Sequence, residues 1–463
     1  MSTEGPIPFS HRAFQGYFGI ARRDITPPLG IYARNWGAAQ HDVAESIHRP
    51  LTLTVLAIRS NPDDEPLFYV DADLGWWKTP QTYENFSERL KSQLNIDSSS
   101  LIFALSHTHS GPPLMEVDQD LPGSLPLQQW HEQLLEATVS AIQSAKDDTF
   151  GGHLEWHQGR CGLATHRDLV DPEDDADRIV CGYHPDGPAD DTLLVGRLTD
   201  PSGKLRATVT NYACHPTTLA WDNQAISPDY LGSMRSTVEE QTHAPALFML
   251  GACGELAPRY QYVDDVEVAD SHGRELAFAT LSTLNGMEPP ATQLSYSGTV
   301  ESGATLAVWK REPRTTSKTL RFFQTEVQLP IKDWPSAETL ESQRLACTDR
   351  ALSERLLRQR DIRRALGNQD TYPLQIWAWR IGEMVLVGTC CEAYSWLQQE
   401  LRQTFPDLAV VCMNLINGSL GYLPPAELYD FNVYPVWQTP FDRGCLELTR
   451  QAMIGAIEHV VNE

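Results

Sequence analysis

Three apolar runs, separated first by a turn and then by one helical repeat, narrow the architecture of this chain before any other feature. Leu51 to Ile58 (LTLTVLAI) and Pro66 to Leu74 (PLFYVDADL) read as strands on either side of Asn61-Pro62-Asp63-Asp64, residues that supply turn backbone. Residues 80 to 94 follow, with Tyr83, Phe86, Leu90 and Leu94 at the spacing of one helical face, and Leu101 to Leu105 (LIFAL) supplies the next strand. A strand, helix, strand order predicts an α/β fold.

The rest of the chain fits that class. Tyr17 to Ala21 leads into Asp24-Ile25-Thr26-Pro27-Pro28-Leu29-Gly30, where paired prolines remove backbone donors and end the strand in a rigid turn. A helix is expected over 127 to 145, a loop or insertion over the acidic stretch Asp168 to Asp191, and a hairpin from Leu193 to Leu198 and Arg206 to Tyr212 around Pro201-Ser202-Gly203. Ala246 to Leu250 reads as a buried strand and His272 to Leu284 as a helix. Residues 337 to 366 read as one long charged helix packed along a single apolar stripe. Strands near Trp377 to Val387 and Leu408 to Met413 flank a helix at Ala393 to Thr404. With no internal repeat and no low-complexity linker, the expectation is one domain over 1–463.

Composition excludes several partners. Lys and Arg number 36 against 61 Asp and Glu, and a formal charge of -25 repels nucleic acid phosphates and anionic headgroups alike. MSTEGPIPFS lacks a basic segment followed by an apolar run, and no stretch approaches the roughly 20 apolar residues of a membrane span, so the chain reads as cytoplasmic. Its nine cysteines include no CxxC pair, an odd count that argues against a disulfide framework or a thiolate zinc finger.

Chemistry concentrates at strand ends. Ser106-His107-Thr108-His109-Ser110-Gly111-Pro112-Pro113 follows LIFAL directly, and in an extended segment His107 and His109 project to the same side. Two such imidazoles bind a metal together, divide metal binding and proton handling between them, or simply hydrogen-bond at a turn. His215 sits in Asn211-Tyr212-Ala213-Cys214-His215-Pro216-Thr217-Thr218, where Pro216 stops the ladder. Ser227-Pro228-Asp229-Tyr230-Leu231-Gly232 and Gly251-Ala252-Cys253-Gly254-Glu255-Leu256-Ala257-Pro258-Arg259 mark two further junctions of the kind that hosts active sites in α/β folds. Asp71 and Asp73 are candidates either to orient a ligand histidine or to serve as ordinary acids at a turn.

The succession DITPP, HTHSGP, NYACHPTT, SPDYLG, GACGELAP and Gly418-Ser419-Leu420-Gly421-Tyr422-Leu423-Pro424 resembles the neutral/alkaline non-lysosomal ceramidase family, in order, from about Gly16 to Glu447. The resemblance implies a mixed-sheet catalytic domain with flanking helices (core about 16–447) and hydrolysis of an amide bond by zinc-activated water, with one zinc ion per chain. It implies His107, His215, Glu392 and Tyr422 as metal ligands, Cys390 and Cys391 replacing the family's Pro-Gly before the glutamate. It further implies His109 and Tyr434 as catalytic groups and Arg167 as a substrate contact, with Arg259 in the same role where the family often has asparagine. Ala257 replaces a family serine, which removes a serine nucleophile and points toward a small polar amide, ester or lactone rather than ceramide, or toward an inert zinc-binding homologue. Cys391 is expected to pack rather than react, because its sequence neighbourhood has no cation to lower a thiol pKa.

Overall fold

The computed structural model describes residues 8–173 and 178–462. The start of MSTEGPIPFS as far as Ile7, and 174–177 within the acidic stretch, lie outside the described residues.

Strands β1 (Arg12–Asp24), β2 (Thr52–Arg59) and β3 (Leu67–Ala72) run antiparallel in sequence. Helix α1 (Pro80–Leu94) then carries the chain to β4 (Leu101–Leu105), which pairs parallel with β3. Thr79 caps α1 by accepting from Thr82 N, Pro80 sits where its missing N–H costs nothing, and Asn95 closes the helix in the left-handed region at φ 51°. After α2 (Ser124–Asp147) come β5 (Thr149–Arg160), β6 (Thr192–Thr199), β7 (Leu205–Tyr212), α3 (Tyr230–Thr242), β8 (Ala246–Leu250) and α4 (Val266–Asn285). These eight strands form one mixed sheet in the order β8-β7-β6-β5-β1-β2-β3-β4.

The two ends of that sheet face each other. Strand β8 contacts β3 and β4, although they lie at opposite ends of the order. Tyr69 Oη donates to Phe248 O at 2.6 Å, and Phe248 N donates to Asp71 Oδ2 at 2.8 Å, so side chains of β3 satisfy the outer edge of β8. Residues 414–417 fill the rest of the seam: Leu105 N donates to Leu415 O, Asn417 N to Phe103 O, and Asn414 N to Leu250 O. This closure brings the loops after β4 and β7 together.

A second sheet, β9-β10-β11-β12, comes from the C-terminal part: β9 (Leu320–Pro330), then α5 (Ala337–Ala346) and α6 (Arg350–Leu366), then β10 (Thr371–Ile381), β11 (Met384–Gly388), α7 (Trp396–Thr404) and β12 (Ala409–Met413). Helix α8 (Cys445–Asn462) packs on β9 and β10. An apolar layer that includes Trp156, Leu247, Trp377, Trp379 and Met413 joins the two sheets. No helix among the described residues is long and apolar enough to cross a membrane.

Several expectations need correction. The predicted helix over 337–366 is two helices, because Cys347 is extended and Asp349 caps α6 by accepting from Leu352 N at 2.7 Å. The pair folds back as a hairpin, tied by Arg360 to Glu341 at 2.6 Å. Asp349→Ala is expected to cost about 1 kcal/mol, read as a lower urea midpoint. The run Trp377 to Val387 is a tight hairpin rather than one strand, turning at Gly382 with φ 65°, where a Cβ would stand 2.3 Å from Ala13 O. Within Asp168 to Asp191 the chain forms two short strands, Asp168–Val170 and Arg178–Cys181, the second pairing with Asn432–Val433.

Candidate metal centre

Strand β4 ends at Leu105, and Ser106 N and His107 N are taken by Ala72 O and Leu74 O at 2.9 and 2.8 Å. His107 then adopts φ 72°, a left-handed conformation that costs a non-glycine residue on the order of 1–2 kcal/mol and persists because its neighbours fix it. His107 and His109 do come together, with ring centres 4.9 Å apart, but through this kink and not through the extended alternation read from the sequence.

His107 Nε2 lies 3.2 Å from Glu392 Oε2, and its Nδ1 faces Gly75 O at 3.3 Å. Past β7, Pro216 turns the chain so that His215 Nε2 stands 3.0 Å from the same Glu392 oxygen, while its Nδ1 faces Leu256 O at 3.1 Å. Glu392 belongs to a two-residue strand, Glu392–Ala393, that pairs parallel with Tyr422–Leu423 and sets Glu392 opposite Tyr422. Tyr422 Oη is 3.4 Å from His215 Nε2 and accepts from Arg167 Nη2 at 3.1 Å. His107, His215, Glu392 and Tyr422 are all buried.

These donors suit a cation. With both Nδ1 protons directed at carbonyls, each Nε2 presents a lone pair to a carboxylate oxygen, and three acceptors crowded together repel unless positive charge sits among them. The ligand atoms of His107, His215 and Glu392 all lie within 4.8 Å of one another. Ligands about 2.0–2.1 Å from a tetrahedral zinc ion stand roughly 3.3 Å apart, close to the separations seen here.

His109 packs at a tilt against Trp36 and Trp76, ring centres 4.9 and 4.8 Å away, and neither ring nitrogen has a partner among the described residues. Burial pushes its pKa well below the ordinary value, with the nearby imidazoles adding to the shift, so the ring is neutral at pH 7. Tyr434 meets Tyr422 edge-on at 5.4 Å, and burial raises its phenol. Arg167 is buried, donates also to Gly254 O at 2.6 Å, and makes no ion pair among the described residues.

Other candidates fall outside the cluster. Arg259 is exposed beyond the short strand Leu256–Pro258, and its charge bears on His272. Asp71 and Asp73 orient no histidine; both are buried against the Arg235 guanidinium at 2.7 and 2.9 Å, and backbone carbonyls orient the ligand rings instead. Cys391 is buried, its thiol pushed well up by burial, which removes it as a nucleophile. Ala257 is buried where Leu256–Pro258 pairs with Ala164–His166. Sequence reasoning missed Trp36 and Trp76; the Gly75-Trp76-Trp77 step after a strand was the available signal. It also missed Arg358 of α6, whose guanidinium lies over Trp76 and which nothing in a charged helical repeat distinguishes.

Burial holds His11, His215 and His272 down to about 4. Each is neutral in the fold and takes up a proton on unfolding below its ordinary pKa, so their contribution is complete above about 6.5 and is lost as pH falls toward 4. The urea midpoint of chelator-treated protein is expected to decline across that window.

No family model matches the chain, and no curated protein matches it. Among solved structures, neutral ceramidase from Pseudomonas aeruginosa superposes with a TM-score of 0.70 at 17% identity, covering 97% of this chain and 75% of that one. A ceramidase complexed with C2 gives 0.68 at 16% identity, covering 97% and 76%. The chain has the mixed α/β fold of these neutral ceramidases.

Proposed function

We propose that this chain is a zinc-dependent hydrolase of amide bonds, with His107, His215, Glu392 and Tyr422 holding one ion. The observation that carries this reading is the convergence of two histidine Nε2 atoms on a single Glu392 oxygen, at 3.2 and 3.0 Å, from three separate strand ends. The fold shared with ceramidases supports the amide as substrate class.

A zinc ion held by His107, His215, Glu392 and Tyr422 would supply a Lewis acid for the carbonyl and would lower the pKa of water from about 15.7 to about 7. The protein supplies the rest. His109, neutral and with neither ring nitrogen bonded among the described residues, offers its one N–H to the scissile carbonyl or, in the other orientation, its lone pair to the proton released by the attacking water, which it then passes to the leaving nitrogen. Tyr434, kept a phenol by burial, is a second donor for the developing oxyanion, a role typically worth about 2.7–4 kcal/mol. Arg167 holds the Tyr422 hydroxyl in place, while Trp36 and Trp76 keep bulk water from the His109 ring.

Two measurements test the proposal. Elemental analysis is expected to find about one zinc per chain, and hydrolysis of a panel of ceramide, short N-acyl amino acids and cyclic amides is expected to stop with chelator and return with zinc. Zinc bound without chelator-sensitive turnover on any member would instead describe an inert homologue.

A further inference from the structure

Metal binding leaves the charge around this centre unexplained. The chain as a whole has a formal charge of -25, yet this site is walled by cations. Helix α6 lays the guanidinium of Arg358 over the Trp76 indole, 5.4 Å from its centre, and the Lys78 amine, whose pKa burial pulls well below its usual value, lies over the same ring at 3.8 Å. That indole packs against both His107 and His109, at 5.6 and 4.8 Å. Asn35 anchors the pair, its backbone carbonyl accepting from Arg358 at 2.7 Å and its side-chain oxygen from Lys78 at 2.9 Å. One carboxylate, Glu354, serves both Arg358 at 2.7 Å and Arg34 at 3.4 Å. Beyond Tyr422 lies Arg167, buried without an ion pair among the described residues.

A bound divalent ion would more than cancel Glu392, leaving these groups short of negative charge. Glu354 is shared between Arg358 and Arg34 and Arg167 has no carboxylate among the described residues, so the guanidiniums outnumber their counter-charges, and a neutral lipid amide would leave that imbalance standing. A carboxylate on the substrate would remove it. Arg358 can receive one from the solvent side: Nη2 is held by Asn35 O and Glu354 and Nε is buried, but Nη1 has no hydrogen-bond partner among the described residues and the side chain keeps 21% exposure.

We propose that the substrate is an N-acyl amide carrying a free carboxylate, and that Arg358 on the Trp76 face binds that carboxylate. The inference rests on the amide-hydrolase reading above. Water cleaves the C–N bond, its oxygen joining the acyl carbon and a proton going to the nitrogen, so the products are a carboxylic acid and an amino acid and no further reactant is needed.

The test separates binding from turnover. Zinc-loaded protein is titrated calorimetrically with N-acetylglycine and with N-acetylglycinamide, which differ only in the carboxylate, and hydrolysis of both is followed. The acid is expected to bind at least about tenfold more tightly. Arg358→Met should bring the two within about twofold while leaving zinc content and glycinamide binding unchanged, and Arg358→Lys should recover part of the preference. Equal affinity of wild type for the two ligands overturns the proposal. So does a preference that survives Arg358→Met, because it then belongs to the metal alone. Tight, Arg358-dependent binding of the acid without hydrolysis would sink the hydrolase reading and leave the carboxylate site standing; hydrolysis of both without preference would do the reverse.

Discussion

Replacing His215 with alanine is expected to remove metal and hydrolytic activity together. The ring is fully buried, its Nδ1 is fixed by Leu256 O, and its Nε2 is one of the two nitrogens that meet Glu392. Losing an outer partner of a metal ligand already weakens binding by about 10–100-fold, so losing the ligand itself should exceed that range. Elemental analysis after dialysis reads the first effect and turnover of the best amide reads the second. His107→Ala should behave in the same way, and Cys391→Ala, which alters only packing next to Glu392, should keep its zinc. Full zinc content in both histidine variants would overturn the assignment.

The second large effect lies away from the chemistry. Arg235→Met is expected to cost about 3–5 kcal/mol, because it leaves Asp71 and Asp73, both nearly inaccessible, without the one cation they share. Typical domains have only about 5–15 kcal/mol in total, so urea denaturation should show a large fall in midpoint. Asp71 also accepts from Phe248 N, which ties this ion cluster to the place where the two sheet edges meet. Pairing Arg235→Met with Asp71→Asn and Asp73→Asn should recover part of the loss, since unbalanced buried charge and not a missing attraction is what destabilises the single variant.

Elements whose signals are local were legible in the sequence. The helix at 80–94 and the strands at 101–105 and 246–250 were read with their bounds, because apolar spacing and capping residues lie within the elements themselves. Strand ends carrying His107 and His215 could be found in the same way. What stayed hidden depends on distant partners. Asp71 and Asp73 read equally as carboxylates that orient a histidine or as turn acids until α3 brings Arg235 against them, and the left-handed backbone at His107 is fixed by Ala72 and Leu74, which no local pattern reveals. The break at Cys347 was missed because the charged periodicity continues through it while Asp349 restarts the helix. Glu392 and Tyr422 could be identified by resemblance alone, and only the pairing of two-residue strands explains why they face each other.

The closure of the eight-stranded sheet by residues 414–417 has a consequence for how the molecule is made. During synthesis the strands at 101–105 and 246–250, the two edges of that sheet, leave the ribosome long before the segment that shields them, so the nascent chain carries two adhesive ribbons for many seconds. The step that finally protects those ribbons is also the one that delivers Tyr422, so a chain halted before it is expected both to aggregate and to be inert.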